Sequence, residues 1–354
     1  MPAQAEEVTR RLDEGLLGTW YVVAKSADVK RDQPVAAKAL SRELVLWRGA
    51  DGKVRCVADF CPHRAARLSL GRIVGDALSC RYHGVTIDGG GTIVSVPGMA
   101  QCALEGRRAV EAYAVEEAAD GVFVYFPSAL APDAPPLALP KELTEPSFTH
   151  FLCMAPWACN HRYVLDNLAD PMHGIFLHSD SFTLGRGAQQ DTVEVKETAT
   201  GFIVKRVAQQ EVNFDWGELV VTDSMLYGRV LIPYPPAAGP GGPMFVITFV
   251  TPVDDDRCRI FFWRTRAASS ELERQSWRFL FRARLETRHW RVLEQDREML
   301  EHMPRDAHGR EMLYQHDLGV TRLRRIMRRK AQAQVTAQMP VEDATAAPPR
   351  RHVS

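Results

Sequence analysis

The chain has 354 residues and a mass of 39.7 kDa, a length that favours two domains over one. Lys and Arg number 44 and Asp and Glu number 44, which excludes a nucleic-acid-binding protein that relies on bulk positive charge. No apolar run approaches a membrane span of roughly 18 residues, and the opening MPAQAEEVTRRLDEG lacks the apolar run of a secretory signal, so we expect a soluble cytoplasmic protein without a membrane partner. Seven scattered cysteines are too few for a disulfide framework and are expected to be thiols.

A β-rich unit is predicted at 17–126, after a short N-terminal segment at 1–16. Short runs of β-branched and aromatic residues recur in it, starting with GTWYVVAK, and an Asp51-Gly52 hairpin turn separates two of them. Six prolines fall between residues 126 and 147, which disfavours both helix interiors and central strands. We therefore expect a linker at 127–147.

The second unit, 148–330, is predicted to have a central antiparallel sheet flanked by helices. A helix-like stretch at 157–176 precedes five strand-like runs, and helical periodicity then covers 270–303. This order predicts an α+β fold. The Pro- and Gly-rich 233–243 is expected to be a loop, with a substrate lid as the alternative, and 331–354 has little to bury and is expected to be a disordered tail.

Two short motifs each place one cysteine beside one histidine. The motif C-P-H contributes Cys61 and His63, and C-R-Y-H contributes Cys80 and His83. In a Rieske [2Fe–2S] centre one iron takes two cysteines and the other takes two histidines, so two such loops would satisfy both irons. A Cys₂His₂ zinc site has the same ligand count, and two unrelated core pairs are the third interpretation. Several glycines around these loops favour the cluster, because they let backbone pass close to it.

The stretch NHRYVLDNLADPMHGIFLH is too polar for an ordinary core helix. On a regular helix Asp166, Asp170 and His173 share one face. His173 and His178 are five residues apart, about 140° around the helix, so both can reach one metal only if the helix widens or ends near Gly174. The sequence predicts a π-bulge or a helix end at that point.

Two histidines and one carboxylate form the facial triad of non-haem Fe(II) oxygenases. In the last predicted helix, a buried stripe with spacings of three and four residues is predicted from Leu285, His289, Val292, Asp296, Met299 and Met303. A carboxylate on such a stripe needs a partner, and a metal is an adequate one, so Asp296 is the predicted third ligand beside His173 and His178. A metal-free hydrogen-bond network for the histidines and a salt bridge for Asp296 are the alternatives.

The segments CPHRAARLSLG, CRYHG and GGTIVSVPG resemble the Rieske domain of ring-hydroxylating and O-demethylating oxygenases. The Asn, Asp and His residues of the polar stretch resemble the mononuclear-iron domain of the same family, as does the Glu-Gln-Asp around Asp296. The resemblance covers roughly residues 17–303. The family usually has proline and tryptophan where this chain has Arg81 and Val85, and often glycine in place of Ala65, and none of these positions is a ligand.

The resemblance implies that the cluster takes electrons one at a time and passes them to a mononuclear Fe(II), which activates O₂ beside the substrate. It also implies a homotrimer, a head-to-tail ring in which the cluster of one subunit faces the iron of the next. Asp170 would then join His173 to His83 of the neighbouring subunit, and Asn167 would lie close to the iron.

The chain has no Gly-rich dinucleotide-binding motif and no plant-type ferredoxin cysteine run. We therefore expect NAD(P)H to be used only through a separate flavin and iron–sulfur reductase or a ferredoxin. Six of the nine residues at 322–330 are basic. A solvated helix face is the favoured interpretation of this run, and a docking surface for an acidic redox partner is the alternative.

Within the family, the chain length and the segments GTWYVVAK and VSVPG resemble the subgroup of vanillate O-demethylase and related aromatic-acid demethylases. This implies hydroxylation or O-demethylation of an aromatic substrate that carries methoxy and carboxylate groups. One alternative is a ring or methyl hydroxylase, or a dioxygenase, for another aromatic or alicyclic molecule. Alternatives of other classes are a Rieske electron-transfer protein without oxygenase chemistry and a zinc-stabilised binding protein. Candidate pocket-wall residues, for which plain sheet packing is the favoured interpretation, are Asn213, Trp216, Tyr227 and Trp263.

Overall fold

The two halves of the chain build separate sheets, and every strand pair in them is antiparallel. A computed structural model describes residues 2–181, 184–209, 216–233 and 243–338. The α+β class expected from the sequence is confirmed. No helix in these described ranges is both long enough and apolar enough to cross a membrane.

The first half contains three small sheets. Their strand orders are β1-β11-β10, β2-β3-β4-β9 and β5-β6-β7-β8. Gly52 has φ +85° in the turn between β3 and β4, so the expected hairpin is confirmed. The strands are β1 (Thr19–Lys25), β2 (Val35–Ala39), β3 (Arg42–Arg48), β4 (Val54–Ala58), β5 (Arg72–Val74), β6 (Ala77–Ser79), β7 (Thr86–Ile87), β8 (Ile93–Ser95), β9 (Ala112–Tyr113), β10 (Val115–Ala118) and β11 (Gly121–Phe126).

The second half contains one seven-stranded sheet, in the order β12-β18-β17-β16-β15-β14-β13. Its strands are β12 (Phe148–Trp157), β13 (Val193–Thr198), β14 (Gly201–Arg206), β15 (Trp216–Val221), β16 (Leu226–Ile232), β17 (Met244–Asp254) and β18 (Arg257–Ala267). The α-helices of the chain are α1 (Pro2–Glu14), α2 (Lys141–Thr144), α3 (His161–Leu168), α4 (His173–Leu177), α5 (Glu271–Leu280), α6 (Glu286–Glu301), α7 (Ala307–Arg310) and α8 (Leu318–Gln338).

The large sheet is covered on both faces. On β18, Phe261 and Trp263 join an apolar cluster with Phe123 of β11, and the Trp263 indole donates a hydrogen bond to the Ala119 carbonyl at 2.6 Å. The intervening Phe262 packs on the opposite face, against Trp290 of α6. Because side chains alternate across a strand, one face of the sheet packs against the first half of the chain and α2, and the other packs against α1, α3, α4, α6 and α8.

Helix α8 corrects the expected tail. It continues to Gln338, so disorder from residue 331 is wrong for the first eight residues; 339–354 lie outside the described residues. Its buried residues Leu323, Met327 and Ala331 recur every four positions and share a core with Val8 of α1. The prediction of disorder was wrong because it assumed that the segment after 330 has no surface to pack against. Helix α1 supplies that surface.

The basic run at 322–330 lies on α8, and part of its positive charge is paired with carboxylates of the same chain. Arg322 pairs with Glu197, and Lys330 pairs with Asp223. Arg324 is bound by two carboxylates, as described below. The exposed basic residues of the run are Arg325, Arg328 and Arg329.

Candidate metal centres

Two loops with the same local hydrogen bonding carry the predicted cluster residues. In the loop after β4, the Cys61 amide donates to the Ala66 carbonyl at 2.7 Å and the Ala65 amide donates to the Cys61 carbonyl at 2.8 Å. In the loop between β6 and β7, the Cys80 amide donates to the Val85 carbonyl at 2.8 Å and the Gly84 amide donates to the Cys80 carbonyl at 2.9 Å. The fold therefore repeats one turn twice, once for each Cys/His pair.

The two loops place sulfur inside and imidazole outside. Cys61 and Cys80 are buried in the core of the first half, whereas His63 and His83 are exposed. The two imidazole rings are adjacent, with centroids 4.7 Å apart. A cluster held here would bury its cysteine-bound iron and present its histidine-bound iron at the surface.

The arrangement of these loops fits a binuclear cluster. Both cysteines lie on the buried side and both histidines on the exposed side. A Rieske cluster takes two cysteines on one iron and two histidines on the other, which matches this segregation. A single tetrahedral zinc imposes no such separation of its sulfur and nitrogen ligands.

Ala65 holds a strained conformation in the first loop. Its φ is +55°, whereas the equivalent position of the second loop is Gly84 at φ +74°. Because a side chain in this region costs about 1–2 kcal/mol, we expect Ala65→Gly to raise the unfolding free energy by about 1 kcal/mol. The reverse change, Gly84→Ala, should lower it by more, since the added Cβ would lie 2.7 Å from Cγ of Pro97. Thermal unfolding followed by the visible absorption of the purified protein measures both, and equal midpoints for the wild type and Ala65→Gly would contradict the strain argument.

The polar stretch of the second half forms two helices, not one. Helix α3 ends at Leu168, and α4 begins at His173 and ends at Leu177. The expected break near Gly174 is therefore misplaced, because Pro171 lacks an amide donor and disfavours helical backbone at the residue before it. His173 is the first residue of α4 and His178 follows its last. Because His178 lies outside the helix, the two imidazoles are not held about 140° apart and both can face one point.

The predicted carboxylate comes from the other end of the second half. A π-helical turn at Phe281–Leu285 joins α5 to α6, and Asp296 is buried nearly three turns into α6. The predicted stripe fails beyond this residue, because Met299 and Met303 are 54% and 44% exposed whereas Leu300 is buried. The next buried residue after Asp296 is therefore four positions further on, at Leu300, and not three, at Met299. A period of 3.6 residues per turn allows either spacing.

The three predicted iron ligands lie together. Nε2 of His178 is 3.3 Å and Nε2 of His173 is 3.6 Å from Oδ1 of Asp296. Atoms that bind one metal at about 2.1 Å and at right angles lie about 3 Å apart, so both distances to the carboxylate are close to those around a shared metal. All three ligand atoms lie within 4.8 Å of one another. Two nitrogens and one carboxylate oxygen fit the donor set of a non-haem Fe(II), and the role of these residues as ligands stays a prediction.

The other two predicted residues of this site are close by. The Asn167 side-chain amide donates to Oδ1 of Asp296 at 3.3 Å. Asp170 offers its main-chain carbonyl to Nδ1 of His173 at 2.7 Å, while its carboxylate Oδ2 is 3.8 Å from the same nitrogen. Its other carboxylate oxygen accepts from the Met172 amide at 2.7 Å.

Asp166 does not join the iron site. Its carboxylate accepts from Arg324 at 2.7 Å and lies 2.9 Å from Nε2 of His308. Arg324 also binds Glu311, so helix α3 is tied to α8 and to the segment after α6. Helical geometry alone placed Asp166 with Asp170, but the break at Pro171 separates them.

Electrostatics link His178 to the carboxylate. Burial disfavours the charged imidazole, but the hydrogen bond and the charge of Asp296 outweigh it and raise the pKa of His178. By contrast, burial lowers the pKa of His161 to about 3 and that of His289 to about 3, so both are neutral.

Sequence reasoning overlooked Gln295, whose side-chain oxygen is 3.0 Å from Nδ1 of His178. Its place beside Asp296 in the chain was the available signal. Tyr227 and Trp263 pack between the two halves of the chain, in line with the packing role favoured for them, and Trp216 packs against Arg229. Asn213 and most of the loop at 233–243 lie outside the described residues.

Comparison with known families gives one match in each half of the chain. Residues 19–114 match the Rieske [2Fe-2S] domain, and residues 157–333 match the vanillate O-demethylase oxygenase C-terminal domain. The chain is 33% identical over 174 residues to the vanillate O-demethylase oxygenase subunit of Pseudomonas sp. (strain HR199 / DSM 7063), covering 46% of this chain and 45% of that protein. It is 31% identical to the oxygenase component of chloroacetanilide N-alkylformylase of Rhizorhabdus wittichii (strain DC-6 / KACC 16600), covering 47% of each. The matched part spans about half the length of these curated relatives.

Solved structures share the fold over nearly the whole chain. The terminal oxygenase of carbazole 1,9a-dioxygenase from Nocardioides aromaticivorans IC177 aligns with a TM-score of 0.75 at 19% identity, covering 93% of this chain and 98% of that one. Dicamba monooxygenase aligns with a TM-score of 0.70 at 21% identity, covering 91% and 100%. At these identities the likeness establishes the fold alone. With the two family matches, one of which spans half of its residues, the chain belongs to the Rieske oxygenases whose catalytic domain is of the vanillate O-demethylase type.

Proposed function

We propose that this protein is a terminal oxygenase component that uses O₂ and externally supplied electrons to hydroxylate or O-demethylate an aromatic substrate. The observation that carries the proposal is the convergence of His173, His178 and Asp296 in a chain that also has a Rieske domain. A pure electron carrier has no use for a second set of buried ligands. When bound, the cluster supplies single electrons and the Fe(II) supplies O₂ activation.

In the proposed function each site residue has a separate role. Cys61, His63, Cys80 and His83 hold the cluster at the surface, and the triad holds the iron. Asn167 orients the carboxylate of Asp296 through its 3.3 Å hydrogen bond. Asp170 fixes His173 through its main-chain carbonyl and keeps a carboxylate next to the same ring.

The exposed position of His83 supports a head-to-tail homotrimer. In that assembly the Asp170 carboxylate of one subunit contacts His83 of the next and completes the electron path to His173. The electrons come from NAD(P)H through a separate reductase or a ferredoxin, and relatives of the same fold include an oxygenase solved in complex with a ferredoxin. Light scattering tests the assembly, and a fully active monomer excludes it.

The division into a Rieske domain at 17–126, a linker at 127–147 and a catalytic domain at 148–330 is part of the same proposal, as is the cytoplasmic location. Within the linker, Glu142 of the short helix α2 is buried against Arg229 of the large sheet. This contact supports a linker that packs along the catalytic domain.

For the substrate, we propose an aromatic acid with a methoxy group, which loses its methyl group as formaldehyde after hydroxylation. The support is the match of residues 157–333 to the vanillate O-demethylase oxygenase C-terminal domain and the 33% identity to that enzyme's oxygenase subunit. Monooxygenation is favoured over cis-dihydroxylation on the same ground.

The deciding experiment measures formaldehyde release, oxygen uptake and product mass with a surrogate reductase, NADH and a panel of methoxylated benzoates. We expect formaldehyde in step with a product one CH₂ lighter. A product that gains one oxygen without formaldehyde indicates stable ring or methyl hydroxylation, and a gain of two indicates a dioxygenase. A cluster that stays reduced with O₂ and every benzoate of the panel overturns the proposed methoxylated aromatic acid as substrate.

A further inference from the structure

Two consecutive residues of α6 contact different nitrogens of one histidine in the candidate iron site. Oδ1 of Asp296 lies 3.3 Å from Nε2 of His178, and the side-chain oxygen of the preceding Gln295 lies 3.0 Å from Nδ1 of the same ring. Because successive residues point about 100° apart on a helix, the side chain at 295 must be long to reach the ring that Asp296 also faces. One turn of α6 thus contacts both nitrogens of His178.

The two candidate ligand histidines are fixed by different kinds of acceptor. Nδ1 of His173 faces the main-chain carbonyl of Asp170, which no side-chain substitution removes. Nδ1 of His178 faces a side-chain amide oxygen, which accepts only if that nitrogen carries the proton. With a metal bound, Nε2, the nitrogen that faces Asp296, would be the unprotonated donor atom.

We propose that Gln295 is a positioning residue that sets the orientation and the donor strength of His178 towards the metal; this rests on the proposed role of His178 as an iron ligand. An acceptor on the far side of a ligand imidazole fixes its tautomer and raises its basicity, and its loss typically costs 10–100-fold in metal affinity. A carboxylate is a stronger acceptor than an amide, because it carries charge. The neutral amide therefore gives His178 an intermediate donor strength.

This proposal predicts an order of metal affinity, Gln295→Glu at least equal to the wild type and Gln295→Leu weakest. The matched control is Glu294→Gln, because Glu294 is exposed on the same helix turn and pairs with Arg297. The test uses the full-length protein with its cluster in place, depleted of mononuclear iron by chelation and titrated with Co(II). The visible spectrum of bound Co(II), corrected for the cluster, reports its dissociation constant without any turnover.

We expect a dissociation constant 10–100-fold higher for Gln295→Leu, and wild-type values for Glu294→Gln. Thermal unfolding followed by far-UV circular dichroism checks the fold of the variants, and the absorption of the Rieske cluster shows that the other domain is intact. If the leucine variant does not fold, Gln295→Glu still decides the question, because weaker binding than the wild type refutes the proposal. Equal affinities for the wild type and Gln295→Leu also refute it. If the wild type binds no stoichiometric Co(II), both this role and the proposed iron site fall; a wild type that binds one equivalent retains the iron site whatever the variants do.

Discussion

Asp296→Asn is expected to abolish turnover by emptying the iron site while leaving the Rieske cluster intact. Asparagine preserves the volume of the side chain but removes the charge that faces both histidines at 3.3 and 3.6 Å. Loss of a metal ligand must cost more than the 10–100-fold in affinity that loss of an outer partner costs. Turnover should therefore fall by well over about 100-fold, in parallel with bound iron.

The measurement is metal analysis of the purified variant beside its visible spectrum and its oxygen uptake. The wild type should contain three irons per chain and Asp296→Asn two, both in the cluster, as the proposed cofactors require. Glu298→Gln is the control, because Glu298 is exposed on the same helix. A variant that retains three irons and normal turnover would remove Asp296 from the ligand set.

Asp170→Asn is expected to keep all three irons and still lose turnover, by about 100-fold, the loss typical when a critical contact is misplaced. The main-chain carbonyl that fixes His173 is untouched, and Oδ1 of an asparagine can still accept from the Met172 amide. Only the charge beside His173 is lost, and with it the proposed contact to His83 of the neighbouring subunit. The defect should thus lie in electron transfer and not in metal binding.

Rapid-mixing kinetics distinguish a defect in electron transfer from a defect in metal binding. A pre-reduced wild-type cluster should be reoxidised quickly by O₂ and substrate, and the Asp170→Asn cluster slowly, with unchanged iron content and trimer mass. Asp306→Asn is the control, since Asp306 is 60% exposed and pairs only with Arg310 among the described residues. Wild-type reoxidation in Asp170→Asn would refute the bridging role.

Local sequence signals predicted the elements whose structure depends on local interactions. The turn at Gly52 and the strands around it follow from backbone preferences within a few residues. The same holds for Cys61 and Cys80, whose loops are closed by hydrogen bonds no more than five residues apart. Such features need little knowledge of the rest of the fold.

Features that depend on distant partners were missed. Asp166 shares a helical face with Asp170 only if the helix continues, and its actual partner, Arg324, is 158 residues away. The helical residues after 330 are stabilised by packing on α1, at the opposite end of the sequence. Helix periodicity carries no information about either contact, and it also could not choose between Met299 and Leu300 as the next buried position.

Because their ligands lie at different positions along the chain, the two sites are completed at different times during synthesis. The cluster residues span only positions 61 to 83, and β11, which pairs with β1, ends at Phe126. Asp296 follows 170 residues later, which at 5–20 residues per second means roughly 10–30 s. The ribosome thus finishes the sequence of the cluster-binding domain well before the iron site has its carboxylate, and α1 waits longer still for α8. Iron–sulfur insertion can precede completion of the catalytic domain, whereas loading of the proposed mononuclear iron must wait until Asp296 has been made.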